Sequence, residues 1–171
     1  NGGYDPVKYE KLITALRATS GDKVLTEIDQ HYARLITPAD SDWPEQINDL
    51  AAPPIGLIVK GNISALHQRS LAIVGTRNPT SYGARIAGDF AAGFADREWA
   101  IVSGGAYGID SYAHKGALIA EGVTVAVIAS GIDINYPAGN TRLFAEICES
   151  GAIVTEFMPG QRALPHRFLT R

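Results

Sequence analysis

The 171-residue sequence predicts an α/β fold, a mostly parallel sheet with helices on both faces, and three observations carry that prediction. Short runs of β-forming residues at 71–74, 100–103, 124–130 and 152–155 alternate with helix-period segments at 81–96, 109–121 and 141–149. Such alternation is the pattern of parallel strands joined by right-handed helical crossovers. Two of the runs end directly in glycine-rich turns, Gly75-Thr76-Arg77 and Ser103-Gly104-Gly105-Ala106-Tyr107-Gly108. A strand, a glycine turn and a helix together present main-chain N–H groups to a phosphate. Finally, 46% hydrophobic and 19% charged residues describe a chain able to bury one sizeable core.

Taken in order, residues 1–30 read as a helical N-terminal segment and 31–171 as the sheet-bearing domain. Val7, Leu12, Ile13 and Leu16 recur at helical spacing, and Ser20-Gly21 reads as a stop. A short strand follows at 34–37, then a short helix at 43–50 opened by Asp42 and Trp43-Pro44, then a strand at 56–60 after the Pro53-Pro54 break. In the helix at 81–96, Ile86, Phe90 and Phe94 recur at four-residue spacing beside Ala87 and Ala91, which predicts a core stripe. The helix at 141–149 offers Leu143, Phe144, Ile147 and Cys148 in the same way.

Composition narrows the setting. Cys148 is the single cysteine, which excludes an internal disulfide framework and multi-cysteine zinc sites and suits a reducing cytoplasmic compartment. No apolar run reaches the roughly 18 residues of a membrane span, so no membrane association is expected, and the start lacks the layout of a secretory signal. The chain opens on Asn1 rather than methionine, as a trimmed chain would. The net charge of −3 argues against a generally basic surface. It leaves room for a local one: through Ser70 there are seven Lys/Arg against nine Asp/Glu, and after it eight against nine. Arg77, Lys115, Arg142, Arg162, Arg167 and Arg171 fall in or beside turns and helix starts where they can converge.

Arg77 projects from the carboxyl end of a strand, where ligands of open α/β sheets bind, and guanidinium is the favoured bidentate partner of phosphate. On position alone a surface or salt-bridged arginine fits too. Gly104 and Gly105 let a ligand approach the main chain, or let a helix pack on a strand. Asp110 reads as an N-cap, and His114 is either oriented by it or a helix-surface residue. Arg142 near a helix start opposes the macrodipole by roughly 0.3 to 1 kcal/mol unless an anion is present; pairing with Glu146 four residues on is the alternative. Tyr82, Tyr107 and Tyr136 lie in the turns, where they either stack on bases or cap a cleft.

Other chemistries lack their residues. Neither turn spells GxGxxG, no P-loop lysine is present, no serine sits in GxSxG, and His31, His67, His114 and His166 are scattered. No cofactor and no metal are expected.

Four blocks in register then carry a resemblance: VGTRNPTSYG, IVSGGAYGIDSYAHKGAL, GVTVAVIASGIDINYP and GAIVTE. Together with DSDWPEQINDLAAPPIGLIVKGN they resemble the DprA/Smf family of DNA-processing proteins over about residues 40–171. The resemblance implies an extended Rossmann-like domain that binds single-stranded DNA without reading its sequence, protects incoming DNA in natural transformation and helps load the RecA recombinase, without being an enzyme. It implies a phosphate-binding site of Gly75, Thr76, Arg77, Ser103, Gly104, Gly105, Ala106, Asn140, Arg142 and Arg171. The family pattern F-P-x-R-N-R begins here as Phe168-Leu169-Thr170-Arg171, with leucine for proline. In the family the continuation of that motif supplies the remaining strands, so the sheet is expected to be incomplete at the C-terminus; the family's homodimer and RecA contacts belong to that later part, so a chain ending at Arg171 is expected neither to dimerise nor to load RecA. Two rivals stay open: a phosphoribohydrolase resembling the LOG enzymes, for which Glu156 is the one well-placed acid but whose PGGxGT turn is missing, and a nucleotide-sensing module without DNA affinity.

Overall fold

The computed structural model describes Glu10, Thr14 and residues 20–171. The helical stripe expected from Val7 to Leu16 lies outside the described residues. After Ser20, α1 spans Gly21–Gln30, and its buried Ile28 packs with Ala33, Ile58 and Ile147.

Six strands, β1 (Ala33–Ile36), β2 (Leu57–Gly61), β3 (Ser70–Ala72), β4 (Ala100–Ser103), β5 (Thr124–Val127) and β6 (Ala152–Thr155), form one sheet in the order β1-β2-β6-β5-β4-β3. The four strands β3 to β6 are parallel, while β2 runs antiparallel to β6 and β1 antiparallel to β2. Three helices cross between the parallel strands: α2 (Ser81–Ala95), α3 (Ile109–Ile119) and α4 (Thr141–Ser150).

Because β3, β4, β5 and β6 are spatial neighbours in chain order, the three crossovers step the same way, and crossovers of one hand then place their helices on one face. Side-chain packing agrees. Ile101 meets Ala91, Ala113 and Ala117 of α2 and α3, and Ala126 and Ile153 meet Leu143, Phe144 and Ile147 of α4. On the opposite face Val59, Val125 and Val154 are covered by Trp43 and by the 3-10 helices Glu45–Asp49 and Ile63–His67, through Ile47 and Ala65. Helical cover is therefore present on both faces but unequal. On the thinner side an apolar groove of about 320 Å³ runs past Leu66, Val125 and Val154 to Glu156 and Arg171.

The core stripe of α2 differs from the one its periodicity suggests. Ala84, Ala87, Ala91 and Ala95 are buried, whereas Phe90 is 58% exposed. The cause is the closeness of α3: a Cβ on Gly116 would lie 2.9 Å from the Cα of Gly88. Only small side chains fit that seam, so the aromatic ring is turned outward. The edge strand β3 likewise ends at Ala72, and Val74 is left exposed. Cys148 is partly buried with its thiol toward the Lys60 carbonyl, and burial raises its pKa.

Candidate nucleic-acid interface

Two turns at the carboxyl ends of β3 and β4 are built against each other. The Ser103 hydroxyl donates to the Ile73 carbonyl at 2.6 Å, and the Ile109 N–H donates to the Thr76 carbonyl at 3.1 Å. Gly108 has φ +81°, and a Cβ there would strike the main chain of Thr76 and Arg77. Thr80 caps α2 by accepting from the Gly83 N–H at 3.1 Å, and the Thr76 hydroxyl accepts from the Asn78 N–H. Sequence-local capping thus fixes the exit of the first turn, and glycine permits the contact with the second.

Within the second turn, the buried Asp110 carboxylate accepts from the Ala106 N–H at 3.3 Å, and the Ser111 hydroxyl donates to the Ala106 carbonyl at 2.7 Å. Asp110 is not the N-cap; Gly108 holds that position. Asn140 is buried, and its side-chain NH₂ donates to the Gly105 carbonyl and the Ser111 hydroxyl, each at 2.9 Å. Both of its donors are thereby engaged, so Asn140 positions the turn from behind and presents no N–H to a phosphate. Gly75 and Gly105 also serve packing: a Cβ on Gly75 would lie 2.8 Å from Ile109, and one on Gly105, at φ +69°, 2.5 Å from the Phe144 ring.

The cationic part of the site comes from the first turn and the final helix, α5 (Pro165–Thr170). The Arg171 Nη1 donates to the Gly104 carbonyl at 2.8 Å. Arg171 and Arg77 both lie against Phe168, their guanidinium carbons 5.5 and 5.1 Å from its ring centroid, and Tyr136 flanks the same ring at 5.8 Å. Burial pulls the Arg171 guanidinium below its ordinary pKa, Asp110 opposes that shift and Arg77 adds to it. Arginine nevertheless stays charged, so two like charges are held side by side over one aromatic ring. Among the described residues no hydrogen bond uses the main-chain N–H of Thr76, Gly104 or Gly105. The first turn and α5 thus bring Arg77 and Arg171 together beside a glycine turn whose Gly104 and Gly105 are buried.

The remaining predicted residues lie apart from this cluster. Arg142 pairs with Glu146, Nε to Oε1 2.8 Å, in the α4 pairing that its spacing allowed, and is 92% exposed at its side chain. Arg167 stacks on Phe157 and donates to the Arg162 carbonyl. Glu156 is exposed beyond β6 and makes no ion pair among the described residues. His114 is not on the helix surface, and no hydrogen bond among the described residues joins it to Asp110; it is buried, with Nδ1 2.7 Å from the Thr124 hydroxyl. Sequence reasoning named Phe168 as the start of a motif but not as a residue of the site. Its signal was the F-x-x-R spacing of 168–171, but its partner Arg77 is distant in the chain.

Comparison with known proteins follows the same outline. The family model for DNA recombination-mediator protein A matches residues 34–171. The putative DNA processing protein DprA of Mycobacterium tuberculosis is 46% identical over 151 residues, 81% of this chain and 39% of that protein. Protein Smf of Escherichia coli is 39% identical over 138 residues, 80% of this chain and 37% of that protein. The chain therefore spans about two fifths of the length of these curated relatives. Among solved structures, DprA of Streptococcus pneumoniae superposes with a TM-score of 0.85 at 29% identity over 99% of this chain and 58% of that one. DprA of Helicobacter pylori, described for its mode of binding single-stranded DNA, gives 0.72 at 30% identity over 80% of this chain and 61% of that one. With a matched segment from Arg34 to Arg171 and relatives of this similarity, the chain belongs to the DNA recombination-mediator protein A family, the DprA/Smf proteins.

Proposed function

We propose that this chain binds single-stranded DNA through its phosphates, at the site formed by Arg77, Arg171 and the turn Ser103-Gly104-Gly105-Ala106. The observation that carries the reading is the meeting of the two guanidiniums on Phe168, with Arg171 bonded to the carbonyl of Gly104 in the glycine turn. Neither guanidinium reads a base edge from such a position, so affinity is independent of sequence and falls with salt, at about −0.7 in log–log slope per phosphate contacted. The relative from Helicobacter pylori, whose single-stranded DNA binding is described, supports the same ligand. We read the activity as binding rather than turnover, a reading supported by the family's description as a DNA recombination-mediator protein. In the longer protein that the relatives represent, this domain would hold incoming DNA in the cytoplasm, and dimerisation and RecA loading would be functions of the whole.

The test is binding of a fluorescent oligo-dT across a salt series by the chain and by Arg77→Ala, with duplex DNA and AMP as competitors. Salt-sensitive, single-strand-selective binding that drops in Arg77→Ala supports the reading. Binding or hydrolysis of AMP without affinity for the oligonucleotide replaces it with a nucleotide site.

A further inference from the structure

Among the described residues Asp110 is the one buried carboxylate, 4% exposed in the first turn of α3. It accepts a single hydrogen bond, from the Ala106 N–H at 3.3 Å. A charge so placed has lost most of its water, and one long hydrogen bond offsets little of that cost. The rest of the turn is held by uncharged groups: the Ser111 hydroxyl donates to the Ala106 carbonyl, and the Asn140 side-chain amide donates to the Gly105 carbonyl. A neutral acceptor at position 110 would serve the Ala106 N–H as well. The negative charge itself therefore calls for something positive to face.

Two positive partners are present. The N-terminal turn of α3 favours an acidic side chain modestly. The other is Arg171, whose Nη1 donates to the Gly104 carbonyl at 2.8 Å, two residues before the N–H that Asp110 engages. Arg171 as a residue is exposed, but its guanidinium gives up part of its water on the turn. That burial disfavours its charge, Asp110 favours it, and Arg77 on the same Phe168 ring disfavours it again. No direct ion pair joins Asp110 to Arg171 among the described residues, so the carboxylate acts across the turn. A bidentate pair would occupy the fork of donors that a phosphate needs, whereas a carboxylate at a distance leaves that fork open.

We infer that Asp110 is a positioning residue: its charge holds the Arg171 guanidinium on the glycine turn against the repulsion of Arg77 and leaves the remaining donors of Arg171 to a DNA phosphate. This inference rests on the proposed DNA-binding function and adds to that site a residue that does not touch the ligand. Its consequence is that a negative charge strengthens the binding of an anion.

The sign of the effect separates this role from ordinary electrostatics. Removing a carboxylate beside an anion site makes the local field more positive and by itself tightens binding. Asp110→Asn keeps an acceptor for the Ala106 N–H, yet it should bind fluorescent oligo-dT about fivefold more weakly, with a salt slope shallower by about 0.7, as for one lost phosphate contact. Arg171→Ala should weaken binding about tenfold. In Asp110→Asn/Arg171→Ala the two losses should not add, because the carboxylate then has no guanidinium to hold. Asp110→Ser is a second neutral variant with a different stability, and it should weaken binding by the same factor as Asp110→Asn. Each protein is assayed well below its own melting temperature. Parent-like or tighter binding by either neutral variant, with Arg171→Ala impaired, overturns the role of Asp110 and leaves the site standing. Losses that add in the double variant overturn it too, since Asp110 would then support only the turn or the start of α3. Parent-like binding by both Arg171→Ala and Arg77→Ala overturns the DNA-binding reading on which it rests.

Discussion

Arg171 closes over the second glycine turn by donating from Nη1 to the main-chain carbonyl of Gly104 at 2.8 Å, so a cation is anchored by the turn it serves. A Cβ on Gly104 would lie 2.6 Å from three guanidinium atoms of Arg171, which shows how closely the two are fitted. The obstacle is the far end of a flexible side chain, so Gly104→Ala should leave stability nearly unchanged while expelling Arg171 from its place. Affinity for oligo-dT should fall by about tenfold, comparable with the loss of one charge-assisted hydrogen bond. Arg171→Lys should recover little of what Arg171→Ala loses, since an ammonium cannot both bond to the Gly104 carbonyl and present a planar fork. Full recovery by lysine would mean that only the charge matters there.

Gly105 gives the opposite outcome although it is the next residue. Its φ is +69°, and an added Cβ would lie 2.5 Å from the ring of the buried Phe144 in the core between α4 and the sheet. That ring cannot swing away without opening the core. Gly105→Ala should therefore cost about 2 to 4 kcal/mol of stability, from left-handed backbone strain and overpacking together. Urea unfolding of both alanine variants separates the cases: a shifted midpoint for Gly105→Ala and a parent-like one for Gly104→Ala.

Asn140 connects the turn to α3 and α4, and its removal leaves the buried Gly105 carbonyl without a donor. Asn140→Ala should destabilise by about 1 to 3 kcal/mol and also weaken oligo-dT binding, because the Gly105 N–H loses its fixed direction. Binding measured well below the variant's melting temperature distinguishes loosening of the turn from unfolding. Unchanged affinity in the folded variant would reduce Asn140 to a purely stabilising role.

What the sequence discloses and what it hides follow from the range of the interactions involved. The alternation of strands and helices, the Thr80 cap and the Arg142–Glu146 pair depend on residues a few positions apart, and each is readable from spacing. The roles of Gly75, Gly105 and Gly108 are not, because Ile109, Phe144 and the Thr76 carbonyl occupy the missing Cβ positions from other turns and helices. Phe90 and Ala91 show the same limit: helical periodicity marks both as core, but the closeness of Gly88 to Gly116 decides which faces inward. The place of Arg77 in the turn beyond a strand end was legible, whereas its meeting with Arg171 on Phe168 depends on how α5 packs against the first turn.

His114 supplies a pH prediction. The Thr124 hydroxyl donates to the Ile101 carbonyl at 2.7 Å, so its oxygen accepts from His114 Nδ1–H, and the ring is neutral with the proton on Nδ1. Nε2 is buried and unpartnered, and burial lowers the pKa from 6.5 to about 3. The folded-state pKa lies below the unfolded one, so the unfolded chain takes up the proton first. Stability is fully present above pH 6.5 and is lost as the pH falls toward 3, with a slope of up to about 1.4 kcal/mol per pH unit from this group. His114→Asn keeps a donor toward Thr124 and removes the titration. It should be less stable than the parent at pH 7.5 by about 1 to 3 kcal/mol, through lost volume, yet decline less steeply between pH 6 and 4. Urea unfolding at a series of pH values reads both quantities, and equal slopes in the two proteins would assign the acid sensitivity to carboxylates instead of His114.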